Sequence, residues 1–307
     1  MRGLSAQSPA SAGDAQHALV DILGLHHRYE RGLGFWVWRR PPDERRLLRE
    51  TPDLEYIFVF HGDGRLREAA LDKIGSMRAS PFLIAALAWR LNDWVEPVRA
   101  AARACFERNI AKAGPEEIAA AAIVLLDRRV RWRRGGKEAR TLENALARPD
   151  VVAQLAAIFR AARTGPMARL LALAARAPAI DAHLERLAAE AFQPAVRAIA
   201  FKFPIAGQAA WPEGFTWQLT DKYAGCGKWV RRYGERGIAA QRPLEALVAD
   251  AARDRSAQVR RIAAAALVDH RNTLANLDEI LRLLADDDSR AVRERVDFVR
   301  RKRALAQ

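Results

Sequence analysis

Apolar residues recur along most of this chain at the three- and four-residue spacing of a helix face. Val95, Val98, Ala102, Cys105 and Phe106 fall on one face of a predicted helix, and similar stretches precede and follow it. Ala and Leu dominate these stretches, and β-branched residues are sparse in the middle of the chain, a composition that favours helix over strand. The pattern therefore predicts an all-α protein built from successive amphipathic helices.

Several short segments repeat one motif, in which a small loop residue precedes an apolar residue, an Arg and an Ala-rich helix. The clear copies begin at Gly64, Asp93, Gln193, Asp254 and Asp288, and a weaker copy without the Arg begins at Asp150. Arg67 and Arg99 are 32 residues apart, and Arg260 and Arg293 are 33 residues apart. A fixed period of about 20–50 residues indicates a solenoid of stacked repeats.

Units with Asp at the turn, then Val-Arg and Ala, resemble HEAT repeats. The best matches are Asp93 with Val98-Arg99, Asp254 with Val259-Arg260, and Asp288 with Val292-Arg293. The resemblance implies a right-handed, armadillo-like α-solenoid. It also implies a ladder in which each turn Asp pairs with a helix Arg of the neighbouring repeat, so we expect the repeated arginines to be structural.

The repeat signature divides the chain into parts. We expect a disordered tail over residues 1–13, an N-terminal helical cap over 14–63 and a repeat array over 64–304. A Trp/Gly-rich insertion at 203–241 interrupts the array, and the stretch 135–149 has no clear repeat signature. In the cap, the aromatic segment 36–40 is interpreted as cover for the apolar end of the array, which a terminal repeat needs.

Charge adds a preference for acidic partners. The formal net charge is +14, which favours nucleic acid, an anionic membrane or an acidic protein as a partner. The alternative is that the excess of Arg, together with the abundance of Ala, reflects GC-rich coding sequence. The two cysteines, Cys105 and Cys226, are too far apart in sequence for a disulfide framework or metal motif. The sequence predicts a cytoplasmic protein with no membrane insertion, since its longest apolar run is far shorter than a span.

The densest basic cluster surrounds a single Trp. It comprises Arg128, Arg129, Arg131, Trp132, Arg133, Arg134 and Lys137. Arg grips phosphate through two parallel hydrogen bonds, and an aromatic ring can stack on a base. The cluster is therefore a candidate binding site, although cations at the end of a helix also stabilise its dipole.

The insertion supplies a second candidate site. Its aromatic and basic residues alternate with glycines, and we select Trp217, Lys228, Trp229, Arg231 and Arg232 as binding residues. Long insertions on repeat scaffolds often carry binding function. The alternative is that the aromatic side chains fold back and fill a gap in the array.

A catalytic interpretation is also open. Trp89 and Asp93 are four residues apart, so they could share a helix face, with Arg128 or Arg131 following. This arrangement resembles the HEAT-like alkylpurine DNA glycosylases, which use Trp, Asp and Arg in a basic cleft. No phosphate loop, dinucleotide fingerprint, metal motif or nucleophile elbow is present in the sequence. It therefore indicates no catalytic residues, cofactor or metal.

Together these features predict a non-enzymatic scaffold that captures a macromolecular partner on a basic solenoid surface. A protein partner is the first expectation, because helical solenoids expose long surfaces suited to holding proteins. Nucleic-acid binding is the alternative, either alone or coupled to base excision.

Overall fold

The computed structural model describes residues 8–9, 43–77, 80–132, 134, 136–221, 223 and 225–305. The predicted tail (apart from residues 8–9), the part of the predicted cap before Asp43 and the cluster residue Arg133 lie outside the described residues. The chain divides into two compact units, Met1–Val151 and Val152–Gln307. Within the described residues the protein is mostly helical, with a single two-stranded sheet in the second unit.

Helices form all the regular structure described in the first unit. They are α1 Glu44–Glu50, α2 Glu55–Phe58, α3 Gly64–Lys73, α4 Pro81–Arg90, α5 Glu96–Ile110, α6 Pro115–Arg129 and α7 Gly136–Leu146, followed by α8 Pro149–Ala161, which crosses into the second unit. Several begin with the expected start signals: Asp63 accepts a hydrogen bond from the Arg65 N–H, and Ser80 accepts one from the Leu83 N–H. Proline occupies the first turn of α4, α5 and α6, where its missing N–H costs nothing.

The second unit combines helices with a hairpin. Its elements after α8 are α9 Met167–Ala174, a 3₁₀ turn Pro178–Ile180, α10 Asp181–Glu190, α11 Pro194–Ala206, β1 Gln208–Asp221, β2 Cys226–Gly237, α12 Leu244–Ala252, α13 Ala257–Asp269, α14 Leu277–Leu283 and α15 Arg290–Ala304. The predicted all-α class is thus correct for the helical content and wrong for residues 208–237.

Alternate helices pack in the same layer of each unit. In the first unit α5 contacts both α3 and α7, while α4 contacts α6; in the second, α13 contacts both α11 and α15. Their facing residues are small or apolar: Leu71 on α3, Phe106 on α5 and Leu142 on α7 are fully buried. This packing removes one stripe of each helix from water, which supplies most of the stabilisation of such helices.

Three buried or half-buried arginines each bind an aspartate further along the chain. Arg67 donates to both carboxylate oxygens of Asp93 at 3.0 and 2.9 Å. Arg197 does the same with Asp254 at 2.7 and 2.8 Å, and Arg260 pairs with Asp287. These bidentate pairs, called the turn ladder below, join consecutive helix–turn–helix units within each compact unit.

Five arginines of the repeated motif, including the three of the turn ladder, also brace the turn that precedes their own helix. Arg67, Arg99, Arg197, Arg260 and Arg293 each donate from Nη1 to the carbonyl oxygen six residues earlier. The helix macrodipole does not explain this contact, because a cation near a helix start is unfavourable there. The contact with the turn carbonyl is common to all five arginines, and three of them, Arg67, Arg197 and Arg260, also pair with an aspartate. These contacts explain why Arg recurs at this position of the motif.

The third ladder carboxylate differs from the expected one. The sequence motif was matched on Asp288, but Arg260 binds Asp287, which also accepts a hydrogen bond from the Ser289 N–H at 2.8 Å. Asp93 and Asp254 accept from the N–H two residues later in the same way. The turn geometry therefore selects the carboxylate six residues before the next arginine, and that residue is Asp287.

A β-hairpin occupies most of the predicted insertion. Helix α11 ends at Gly207, whose φ of +64° is the left-handed conformation that ends many helices, and the Ile238 N–H donates to the Gly207 carbonyl at 2.9 Å. The two strands lie between these residues, pair antiparallel and have register shifts after Pro212 and Leu219. Alternating aromatic and polar residues favour strand over helix here.

The spacing of the turn ladder shows how the hairpin is inserted. The Arg67–Asp93 and Arg260–Asp287 pairs join residues 26 and 27 positions apart, but Arg197 and Asp254 are 57 apart. Removing the 30 residues of 208–237 would leave 27. The hairpin therefore lies at the turn between α11 and α12, and the Arg197–Asp254 pair that spans it keeps the bidentate geometry of the Arg67–Asp93 pair.

Candidate binding surfaces

The predicted basic cluster is divided by local pairing. Arg128 and Arg129 are the last residues of α6; Arg128 lies over the Trp89 ring at 4.2 Å, and Arg129 forms an ion pair with Glu143 of α7 at 2.7 Å. Arg129 also lies 5.8 Å from the centre of the Trp132 ring. Both guanidinium groups therefore contact neighbouring helices, Arg128 through Trp89 of α4 and Arg129 through Glu143 of α7.

The remaining described cations of the cluster face solvent. Arg131 lies 3.6 Å from Asp127, and both Arg134 and Lys137 are exposed. The Arg134 backbone N–H donates to the Asn92 side chain at 3.2 Å, which brings this loop to the turn after α4. Arg131, Arg134 and Lys137 are consequently the members of the cluster that could meet an anionic partner.

Asp93, the carboxylate of the glycosylase hypothesis, is held in the turn ladder. Its side chain is only 1% exposed and accepts hydrogen bonds from Arg67, Arg90 and the Val95 N–H. Burial lowers the pKa of Arg90 to about 10, although Asp93 beside it acts in the opposite direction. This carboxylate stabilises two buried guanidinium groups and is not accessible to a substrate.

One face of the hairpin is aromatic. Cross-strand pairs point to the same side of a sheet, so the register places Trp217 opposite Trp229 and Phe215 opposite Arg231. The Trp217 and Trp229 rings meet edge to face with centroids 5.4 Å apart, and the Arg231 guanidinium lies over Phe215 at 5.4 Å. Strand alternation adds Leu219 and Tyr233 to this side. We call Phe215, Trp217, Leu219, Trp229, Arg231 and Tyr233 the aromatic face.

The aromatic face is exposed to solvent. Its five apolar side chains are between 47% and 66% exposed. The alternative that the insertion folds its aromatics back into the array holds for Trp211, which is buried near the hairpin base, but not for these residues. Exposed apolar side chains that cluster on one face are uncommon on a protein surface, so the aromatic face is a candidate interaction site.

The opposite face of the hairpin is polar and basic. Thr216, Gln218, Lys228 and Arg232 lie on it, and Arg232 forms an ion pair with Glu213 at 3.2 Å. The predicted binding residues of the insertion are thus separated: Trp217, Trp229 and Arg231 share one face, while Lys228 and Arg232 occupy the other. Phe215, Leu219 and Tyr233 were not selected as binding residues, although their two-residue alternation was visible in the sequence.

Arg236 fixes the base of the hairpin to the helices. Its Nε donates to the Ala175 carbonyl at 2.7 Å, and its two terminal nitrogens donate to the Asp181 carboxylate at 2.8 and 2.5 Å. The Nη2 atom also reaches the Ala177 carbonyl at 3.4 Å. Because all three guanidinium nitrogens are engaged at the α9–α10 connection, the exposed face has a defined orientation on its own unit.

No helix in the described part of the chain is long and apolar enough to cross a membrane. Among the same residues, no group of three His, Cys, Asp or Glu side chains is placed to hold a metal ion. No protein-family model, curated protein or solved structure matches the chain.

Proposed function

We propose that the chain is a HEAT-like helical-repeat protein, a right-handed α-solenoid, that binds a protein partner through the aromatic face of its hairpin without catalysing a reaction. The observation that carries the proposal is the exposed row of Phe215, Trp217, Trp229 and Tyr233 on a hairpin with an anchored base. The repeated bidentate Arg–Asp pairs of the turn ladder support the repeat architecture.

The composition of the aromatic face suits a protein interface. Trp, Tyr and Arg are the side chains that most often dominate the energy of protein–protein binding, and all three occur on this face. Lys228 and Arg232 on the opposite side can form the polar rim of such an interface. The formal net charge of +14 favours a partner with an acidic surface, through faster and more selective association.

The edges of the hairpin also favour a protein partner. Within the described residues, β1 and β2 pair only with each other, so each strand has an outer edge of backbone N–H and C=O groups. An extended segment of another protein can add a strand to such an edge. A nucleic acid cannot satisfy alternating backbone donors and acceptors in this manner.

Single-stranded nucleic acid is the second candidate, and the geometry of one residue pair favours it. The Trp217 and Trp229 rings are exposed beside Arg231, and base stacking on aromatic rings combined with basic side chains is how many proteins bind single strands. Base excision has less support, because Asp93 is buried in the turn ladder.

A double substitution, Trp217→Ala with Trp229→Ala, tests the proposal. Quantitative affinity capture from cells of the source organism would compare this variant with the wild type and with Trp94→Ala, which removes a 71% exposed Trp from the other unit. We expect a defined protein to be lost from the double variant and retained by Trp94→Ala. With that protein purified, its affinity should fall about 30-fold or more, as for a hot spot of about 2 kcal/mol.

Fluorescence anisotropy with a labelled single strand and a labelled duplex separates the two candidates. Single-strand binding that persists at physiological salt and is lost in the double variant would replace the protein partner by nucleic acid. Binding that vanishes at physiological salt would reflect charge alone. Identical capture by the wild type and the double variant, with no single-strand binding, would contradict both candidates.

A further inference from the structure

A groove between α14 and α15 is lined by three arginines. Arg282 comes from α14, and Arg300 and Arg303 come from α15; Asp278, Leu281 and Ala304 complete the lining. The groove is open to solvent and has a volume of about 450 Å³. None of these residues belongs to the hairpin or to the basic cluster at the end of α6.

Positive charge exceeds negative charge in this groove. Arg303 forms an ion pair with Asp278, the one carboxylate in the lining. Arg282 donates from Nε to the Asp278 backbone carbonyl at 3.3 Å, and Arg300 donates from Nη2 to the Leu281 carbonyl at 3.3 Å. Each guanidinium carries five N–H donors in a planar fork, so these two contacts leave most of the donor capacity of Arg282 and Arg300 for a ligand.

The arginines of the turn ladder, in contrast to those of the groove, have their charge neutralised by carboxylates. There, Arg67, Arg197 and Arg260 each have their own bidentate aspartate. The groove is lined by three arginines and one carboxylate, Asp278, which pairs with Arg303. This leaves a formal surplus of two positive charges. Hydrogen bonding from Arg303, with the charge of Arg282 nearby, holds the pKa of Asp278 below its usual range. The local field therefore stabilises negative charge.

We propose that this groove binds a phosphomonoester or pyrophosphate group. A phosphate dianion matches the surplus of two charges, and its oxygens accept the paired hydrogen bonds that guanidinium groups offer. The phosphate could be carried by a free organic phosphate or by the headgroup of a phosphorylated lipid. The volume of the groove exceeds that of a phosphate group alone, so the ligand has room for an attached organic moiety.

The competing explanation is helix capping. Arg282 lies in the last turn of α14, and Arg303 lies in the last turn of α15, where cations favour the helix dipole. Capping predicts lower stability when these arginines are removed, but no preference for phosphate over chloride. The two explanations therefore differ in ligand dependence, not in the effect of substitution on stability.

A charge-matched pair of variants of the full chain provides the test. Arg282→Gln with Arg300→Gln removes two charges from the groove, and Arg301→Gln with Lys302→Gln removes two from exposed positions beside it that do not line it. Circular dichroism checks that each variant is folded. If the double variant Arg282→Gln with Arg300→Gln is unfolded, the single variant Arg282→Gln is used in its place. Pyrophosphate binding is then measured by calorimetry and by thermal shift against sodium chloride at equal ionic strength.

We expect pyrophosphate to raise the Tm of the wild type and the Arg301/Lys302 variant, and its affinity for the groove variant to fall at least tenfold. Flotation with phosphatidylcholine vesicles, with and without phosphatidylinositol bisphosphate, identifies the source. Vesicle binding lost only in the groove variant indicates a lipid headgroup, while pyrophosphate binding without vesicle binding indicates a free phosphate. Equal loss in both variants, or no effect of pyrophosphate beyond that of chloride, would overturn the proposal.

Discussion

Arginine serves opposite purposes in the turn ladder and in the hairpin. In the ladder, Arg67 and Arg197 are buried, and each binds an aspartate together with the carbonyl oxygens of its own turn. In the aromatic face, Arg231 is exposed and lies over the Phe215 ring. The same residue type thus joins consecutive helix–turn–helix units in one region and stays exposed to solvent in the other.

The difference teaches that charge count is a poor guide to a binding surface in this protein. Every ladder arginine is neutralised by an aspartate, so it adds nothing to the basic surface that the sequence suggested. Arg128 and Arg129 are similarly occupied by Trp89 and Glu143. The cations that remain available in the described part of the chain include exposed arginines with no carboxylate of their own, such as Arg231 on the hairpin and Arg282 and Arg300 in the α14–α15 groove.

The largest effect should come from removing a ladder carboxylate. Asp93→Ala leaves the buried Arg67 and Arg90 without their shared carboxylate, and breaking a buried ion pair costs about 3–5 kcal/mol because a buried charge is left uncompensated. We expect this loss in the free energy of unfolding measured with urea. Glu50→Ala, which breaks the exposed Arg46–Glu50 pair, should cost no more than about 1 kcal/mol. Similar losses in the free energy of unfolding for the two variants would show that the Asp93 pairs of the turn ladder stabilise the fold no more than an exposed ion pair does.

Acid should weaken the ladder by a smaller amount. The hydrogen bond from Arg260 lowers the pKa of Asp287, and the Ser289 N–H acts in the same direction against the effect of burial. A lowered folded-state pKa stabilises the fold above the unfolded value of about 3.9, and this contribution is lost as pH falls through the folded-state pKa.

Unfolding measured at a series of pH values below about 5 should therefore show a steeper loss of stability for the wild type than for Asp287→Asn. The comparison uses the difference in slope, because the asparagine variant is expected to be less stable at every pH above this window. Parallel curves for the two proteins would contradict the assignment of Asp287 as the ladder carboxylate.

Shortening the hairpin should have the smallest effect on stability. Gly214 and Arg232 are paired across the strands, so residues 215–231 can be replaced by an Asn-Gly turn, which suits a two-residue hairpin. The shortened protein keeps Trp211 and Arg236 at the hairpin base. We expect its helical circular dichroism to be unchanged and its free energy of unfolding to fall by less than about 1 kcal/mol, as for surface changes.

Trp211→Ala in the full-length hairpin is the matched control for the shortened protein. It removes the buried aromatic at the base and should cost about 3 kcal/mol or more. If shortening the hairpin costs as much as Trp211→Ala, then the aromatic face contributes to the fold and is not a surface reserved for a partner.

The helices were largely predictable from the sequence because local signals agreed with tertiary packing. Helix α6 runs from Pro115 to Arg129 as its proline start and apolar spacing predict. The hairpin was not predicted as strands, since its aromatics were treated as a loop that could fold inward. The alternation of these residues distinguishes the two faces of the hairpin, but it does not determine which face packs on the protein and which is exposed to solvent.

The basic cluster shows the same limit at a candidate site. Six cations near Trp132 suggested a continuous patch, yet two of the cluster's arginines are paired with residues that are distant in sequence, Trp89 and Glu143. The groove beside α15 was missed for the opposite reason, because Arg282 and Arg300 are far apart in sequence and only the packing of two helices brings them together.

By itself, the sequence determined the helical character and the recurring turn motif, and it indicated that the motif is interrupted near 203–241, since periodicity, caps and glycines act over a few residues. Tertiary structure alone decided which arginines are neutralised, that Asp287 completes the ladder, and that the hairpin faces solvent with its aromatics. The physical reason is that ion pairing and burial depend on groups far apart in sequence, such as Arg197 and Asp254, which are 57 residues apart. A local sequence pattern does not determine which of these groups are in contact.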